Sequence, residues 1–285
     1  MRFQLRGLSF IVLAFATHGA LLAQDLTIPS SSGLLTRFAD GVVSYSPATA
    51  ATLSLSVSDP LAALGMPDAG STGAPNFTPL GLVSLGDAPA GQAPGAITLS
   101  FSQSINRSFG ERIAVFENAG FSFAELAFVE VSSDGTNFAR FPNESLITDP
   151  DDGISLPTDL DIAFGRDFGT LPNRNLVSGF AGADPAFVGT IFDLSDLQND
   201  SLVTSGLVDL DDIGFVRVVD IPGDGRFTDS NGNPIFDGFS PGNATGGFDL
   251  DAIGVVSVPE PGTATFLLLF VSAGCMRRKR SYEAR

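Results

Sequence analysis

The chain has 285 residues, with 32 Asp and Glu against 15 Lys and Arg, a net charge of −17. Such a charge repels nucleic acid and anionic lipid. Its only histidine, cysteine and lysine are His18, Cys275 and Lys279, so residues 24–258 hold none of the three. That excludes an imidazole-based triad, a thiolate nucleophile, a His/Cys metal centre and an internal disulfide from the body of the chain.

The first predicted element is a leader. Arg2 and Arg6 precede a short apolar core at residues 8–16, and Leu21-Leu22-Ala23 supplies a cleavage site before Gln24. This reads as a signal peptide over 1–23. The run is too short to span a bilayer, and His18 and Gly19 interrupt it. Between leader and tail, residues 24–258 carry 30 acids against 8 arginines, a net of −22.

The body reads as all-β. Residues 96–102 alternate apolar Ile97, Leu99 and Phe101 with Thr98, Ser100 and Ser102, the period of a half-buried strand. Residues 51–58 do the same with Leu53, Leu55 and Val57, and 112–117, 124–131, 215–219 and 248–256 are further strands rich in Val, Ile and Phe. Ser132-Ser133-Asp134-Gly135 predicts a hairpin turn, and residues 192–197 predict a helical turn capped by Asp193. Residues 148–175 hold six aspartates among Gly and Pro and read as a long loop. Many short strands separated by turn signals predict one jelly-roll-like β-sandwich over 24–257.

The strongest chemical pattern lies between Asp220 and Asp251. Asp229, Asn231, Asn233 and Asp237 fall at relative positions 1, 3, 5 and 9, with Gly232 permitting a tight turn. Calcium takes six to eight oxygen ligands at ~2.4 Å, and alternate side chains of a tight loop supply them. Asp220 and Asp224, just upstream, would complete the shell. An EF-hand is excluded by Gly at position 4 and Ser240 at position 12. The same residues also spell an ordinary Gly-Asn-Asp turn with solvated side chains. Residues 209–216 and 249–256 echo one another, which would bring Asp249 and Asp251 to the same place if both strands border the loop. Other chemistry is poorer. Glu117, Glu125 and Glu130 are the nearest candidates for the carboxylate pair of a glycan hydrolase, but Glu125 and Glu130 have opposite strand parity and would point to different faces. Sugar stacking favours Trp and Tyr, and the body has only Tyr45.

The tail completes the pattern. Val258-Pro259-Glu260-Pro261-Gly262 leads into an apolar run over 263–276, which stops at Arg277-Arg278-Lys279-Arg280. Pro259, Pro261 and Gly262 leave an extended, accessible peptide. A helix over the run would be roughly 21 Å long, short of a ~30 Å hydrocarbon core, and therefore a marginal anchor. The four cations hold its end on the cytoplasmic side, so the body lies outside. This order resembles the PEP-CTERM sorting signal. The resemblance implies export, recognition and cleavage by an exosortase, and only transient anchoring; an uncut C-terminal anchor would have the same topology.

The body has a resemblance of its own. Residues 42–47, Asp59-Pro60, residues 63–68, Val83-Ser84-Leu85-Gly86, residues 113–118 and Gly247-Phe248-Asp249-Leu250-Asp251-Ala252-Ile253 recur in order. Together they are similar to bacterial cell-surface proteins with a discoidin-like or galactose-binding-like jelly roll. That implies a structural calcium and glycan binding, although Glu111-Arg112 departs from the pattern. The expectation is an exported, non-catalytic surface or matrix protein stabilised by calcium, with a module binding extracellular polysaccharide, then a glycan hydrolase, as alternatives.

Overall fold

The computed structural model describes residues 34–48, 57–67, 81–118, 125–147, 174–184, 189–236 and 247–257. The leader, the tail, Asp237 and most of the predicted strand at 51–58 and of the loop at 148–175 lie outside them. In chain order the strands are β1 (Leu34–Phe38), β2 (Gly41–Ser46), β3 (Val83–Ser84), β4 (Ala96–Ile105), β5 (Glu111–Glu117), β6 (Ala127–Ser132) and β7 (Ala139–Arg140). They continue with β8 (Glu144–Ser145), β9 (Val177–Ser178), β10 (Thr190–Asp193), β11 (Ile213–Asp220), β12 (Asp224–Thr228), β13 (Pro234–Phe236) and β14 (Asp249–Ser257). Among the described residues the only α-helical turn is Ser201–Thr204, and no helix is long and apolar enough to cross a membrane.

Two antiparallel sheets form the sandwich. One runs β1-β14-β5-β10, with β3 also on β14; the other runs β2-β4-β11-β6-β7. Ile113, Val115, Leu250, Ile253 and Val255 of the first meet Ile97, Leu99, Val129, Val131, Val216 and Val218 of the second in one core. Each such side chain stabilises the fold by about 1.5–3 kcal/mol on burial. The alternation read from residues 96–102 is the one observed, with Ile97, Leu99 and Phe101 inward. The predicted turn joins β6 to β7 with Val131 opposite Ala139. Asp134 closes it, its carboxylate accepting the N–H groups of Thr136 and Asn137, both at 2.8 Å. Asp193 caps the predicted turn by accepting the Ser195 N–H. β6 begins at Ala127 rather than 124, because the Glu125 N–H is turned to the Glu117 carboxylate and not to a neighbouring strand.

Successive strands change sheet at nearly every step, so their connections collect at the two ends of the sandwich. One end gathers the last residues of β5 and β11 and the first of β6 and β14. At the other, Ser257 pairs with both Leu34 and Glu111, so the first and last described residues lie side by side. The nine residues of β14 separate these ends by roughly 30 Å. The pairs β8-β9 and β12-β13 cover part of the second sheet's outer face, and Leu126, Phe128, Ile147, Val177, Phe180, Ile221 and Ile235 make a smaller core there.

The echoing strands, β11 and β14, belong to different sheets. Asp211 accepts from the N–H and hydroxyl of Ser108 at the tail end, whereas Asp249 and Asp251 lie at the opposite end. The echo marks two similar strand starts and does not bring their aspartates together.

Candidate functional site

The end remote from the tail is a cluster of buried carboxylates. β5 delivers Glu117, the chain entering β6 delivers Glu125, β11 ends on Asp220, and β14 opens with Asp249 and Asp251. Asp87 comes from the connection between β3 and β4. Asp87, Glu117, Glu125, Asp220 and Asp251 are each at most 5 % exposed. Asp251 is the extra residue of a β-bulge, because Leu250 faces Glu117 and Ala252 faces Phe116.

A short backbone segment, Gly247-Phe248, ties the acids together. Glu117 Oε1 accepts the Glu125 N–H, Glu125 Oε1 accepts the Gly247 N–H, and Asp220 Oδ1 accepts the Phe248 N–H, each at 2.8 Å. Gly247 has φ +123°, and a Cβ there would stand 2.4 Å from Gly86 C and 2.5 Å from Asp87 N, so only glycine fits. Gly182, at φ +79°, is likewise required, since a Cβ would lie 2.0 Å from the Glu125 carbonyl oxygen. Asp249 sits on the other side of this segment. It pairs with Ser84 across the strands, Tyr45 donates its hydroxyl to the Ser84 carbonyl at 2.7 Å, and Asp249 Oδ1 is buried with no hydrogen-bond partner among the described residues. Burial pushes the Asp249 carboxyl up to about 7, against a weaker opposite effect of the Ser84 hydroxyl. Burial and the Asp249 charge push Tyr45 up to about 12.

Among the described residues, five arginines pair with acids outside the cluster. Arg37 pairs with Glu111, Arg107 with Asp211, Arg226 with Asp224, and both Arg140 and Arg217 with Glu130. Concentrating carboxylates in a dry site is costly unless protons or cations compensate.

The eight metal-site residues expected from the sequence divide into two groups. Asp220, Asp249 and Asp251 join the cluster. Asp224, Asp229, Asn231 and Asn233 build the β12-β13 hairpin, and Asp237 lies outside the described residues. Asp224 is exposed beside Arg226. Asp229 Oδ1 accepts the N–H groups of Asn231 and Asn233, and its Oδ2 accepts the Ser145 N–H and the Asn233 side-chain amide. Those donors outweigh burial and hold its carboxyl below the ordinary range. The loop with calcium spacing is thus closed by N–H groups, and its Asp229 is about 6 % exposed. Asp87, Glu117 and Glu125 were not among the expected ligands.

The donor chemistry of the cluster suits a hard cation: carboxylate oxygens, and an orphaned Asp249 Oδ1. As folded, no group of three or more Asp or Glu among the described residues is gathered closely enough to hold a metal ion. Uptake therefore requires side chains now bound to backbone N–H groups to turn. No family model matches the chain, and no curated protein matches it.

Proposed function

We propose that this is an exported, non-catalytic surface or matrix protein, delivered through its tail and stabilised by calcium at its acidic end. The observation that carries delivery is the tail itself: Val258, Pro259, Glu260 and Pro261, an apolar run, and the basic stop Arg277, Arg278, Lys279 and Arg280. An exosortase-type enzyme would cut at the Pro-Glu-Pro triplet after the run had anchored the chain. The exit of β14 at the end opposite the carboxylates supports this reading, because an anchored body would turn its acidic end away from the membrane.

Asp220, Asp249 and Asp251, with Glu117, Glu125 and Asp87 beside them, are the residues that would hold calcium. The ion would add positive charge beside these carboxylates, not a reaction step. The alternation of strands between the sheets supports a jelly-roll-like sandwich of the discoidin or galactose-binding kind. A non-catalytic reading is supported by the engagement of Glu130 with two arginines and of Glu117 and Glu125 with backbone N–H groups.

Glu260→Ala tests delivery in the native host. The wild-type protein is expected in the cell-surface or matrix fraction and the variant in the membrane fraction. Equal release of both would contradict a role for the triplet.

A further inference from the structure

We infer that the outer face of the second sheet carries a separate binding site, built on Arg140 and Arg217, for a carboxylate-bearing saccharide. Glu130, in the middle of β6, is 4 % exposed and faces Arg140 on β7 and Arg217 on β11. Its Oε1 accepts from Arg140 Nε at 2.8 Å and lies 2.7 Å from Arg140 Nη2, and its Oε2 accepts from Arg217 Nε at 2.5 Å, so the freer fork is that of Arg217. The Arg140 guanidinium lies 4.0 Å from the Phe128 ring centroid, and that of Arg217 lies 3.9 Å from the Phe138 centroid. Arg37, Arg107 and Arg226 each pair with one acid, but here two cations share one. The surplus is one positive charge on a body that is otherwise strongly acidic.

The surplus is presented, not hidden. Both arginines turn their Nε edges to Glu130, and among the described residues the Nη groups of Arg217 have no protein acceptor. The side chains remain 45 % and 34 % exposed for Arg140 and Arg217. Ring stacking and the shared carboxylate order them in advance, which lowers the entropy cost of binding a ligand. A planar guanidinium fork matches a carboxylate.

The surroundings point to a sugar as the carrier of that carboxylate. The register puts Thr98 opposite Arg217 and Ser100 opposite Phe215 on the same face; Thr98 is buried, so the half-buried Ser100 hydroxyl and Phe215 ring are what flank the forks. Hydroxyls meet sugar hydroxyls, rings meet sugar C–H faces, and a sheet face accepts an extended chain. Repulsion by the acidic body acts over a longer range than the contact at the forks, and salt screens it beyond ~10 Å at 0.1 M. Affinity should therefore rise from very low salt to about 0.1 M, where simple ion exchange would only fall.

The test uses the isolated full chain in calcium-free buffer with polygalacturonate, its fully methyl-esterified form and polyaspartate as probes, read by calorimetry. Polygalacturonate is expected to bind and the ester and polyaspartate are not. Arg140→Gln and Arg217→Gln should each weaken binding about tenfold, while Arg107→Gln at the tail end leaves it unchanged. Arg217→Lys, which keeps the charge and loses the fork, should fall between wild type and Arg217→Gln. Melting curves confirm that each variant is folded. Failure of the folded wild type to bind polygalacturonate, equal binding of the ester, polyaspartate binding as tight, or insensitivity to both arginine variants would each overturn the inference.

Discussion

Calcium added to the metal-free protein at pH 8 is expected to raise its thermal midpoint by roughly 5–10 °C at a hundredfold excess over Kd. A ligand of the folded state alone contributes about 2.7 kcal/mol at that excess, and each kcal/mol shifts a domain of this size by about 2–4 °C. The pH dependence sharpens the expectation. Burial raises the Asp249 carboxyl from the ordinary 3.8 to about 7, so the folded chain holds this proton more tightly than the unfolded chain. Its contribution to metal-free stability is complete below about pH 4, is lost as pH rises towards 7, and is flat above. Calcium competes with that proton. The increment in midpoint is therefore larger at pH 8 than at pH 5, and Asp249→Asn should reduce it. A midpoint indifferent to calcium and to chelator at both pH values contradicts a structural ion in the cluster.

The second large effect is expected at the hairpin that the sequence spells as a calcium loop. Asp229→Ala removes the acceptor of three backbone N–H groups, those of Ser145, Asn231 and Asn233, together with the Asn233 amide. Ser145 is buried, so its stranded donor keeps a desolvation cost of about 1–3 kcal/mol, while the exposed Asn231 and Asn233 regain water and lose about 1 kcal/mol per hydrogen bond. Relaxation of the turn relieves part of it. A loss of roughly 3 kcal/mol in unfolding free energy follows, measured by urea denaturation. The depressed carboxyl of Asp229 gives the same residue a pH signature. Its stabilisation is present above the unfolded value of 3.8 and disappears as pH falls through the lower folded value. Acid unfolding of the wild type should thus be steeper than that of Asp229→Ala. If the variant instead matches the wild type in chelator and loses only its calcium response, the hairpin is a metal loop after all.

What could be read from the sequence and what could not differ by range. The alternation of Ile97, Leu99 and Phe101, the turn at Asp134 and the cap at Asp193 are local, and each lies in the structure where its residues predict. Asp229, Asn231 and Asn233 form a tight turn, as their spacing requires. Spacing does not reveal where the carboxylate lone pairs point, and they meet N–H groups. The buried cluster is a product of topology. Asp87 lies between β3 and β4, Glu117 and Glu125 flank the link from β5 to β6, and Asp220 ends β11; these three places meet only because successive strands change sheet. In the sequence Glu117 and Glu125 stand out only beside Glu130, as candidates for glycan hydrolysis, and Asp87 does not stand out at all. The one local signal was Gly247 before Phe248-Asp249, a glycine needed for close approach to Gly86. Similarity between residues 209–216 and 249–256 misled in the opposite way, since like strand starts occur at opposite ends of a sandwich.

Export and trimming through the tail remain the centre of the proposal, and intact mass with terminal peptide mapping of the protein recovered from its native host tests them most directly. The expected chain starts near Gln24 and ends near Pro261, without the apolar run and the basic stop. A native chain that still carries Arg285 would contradict it.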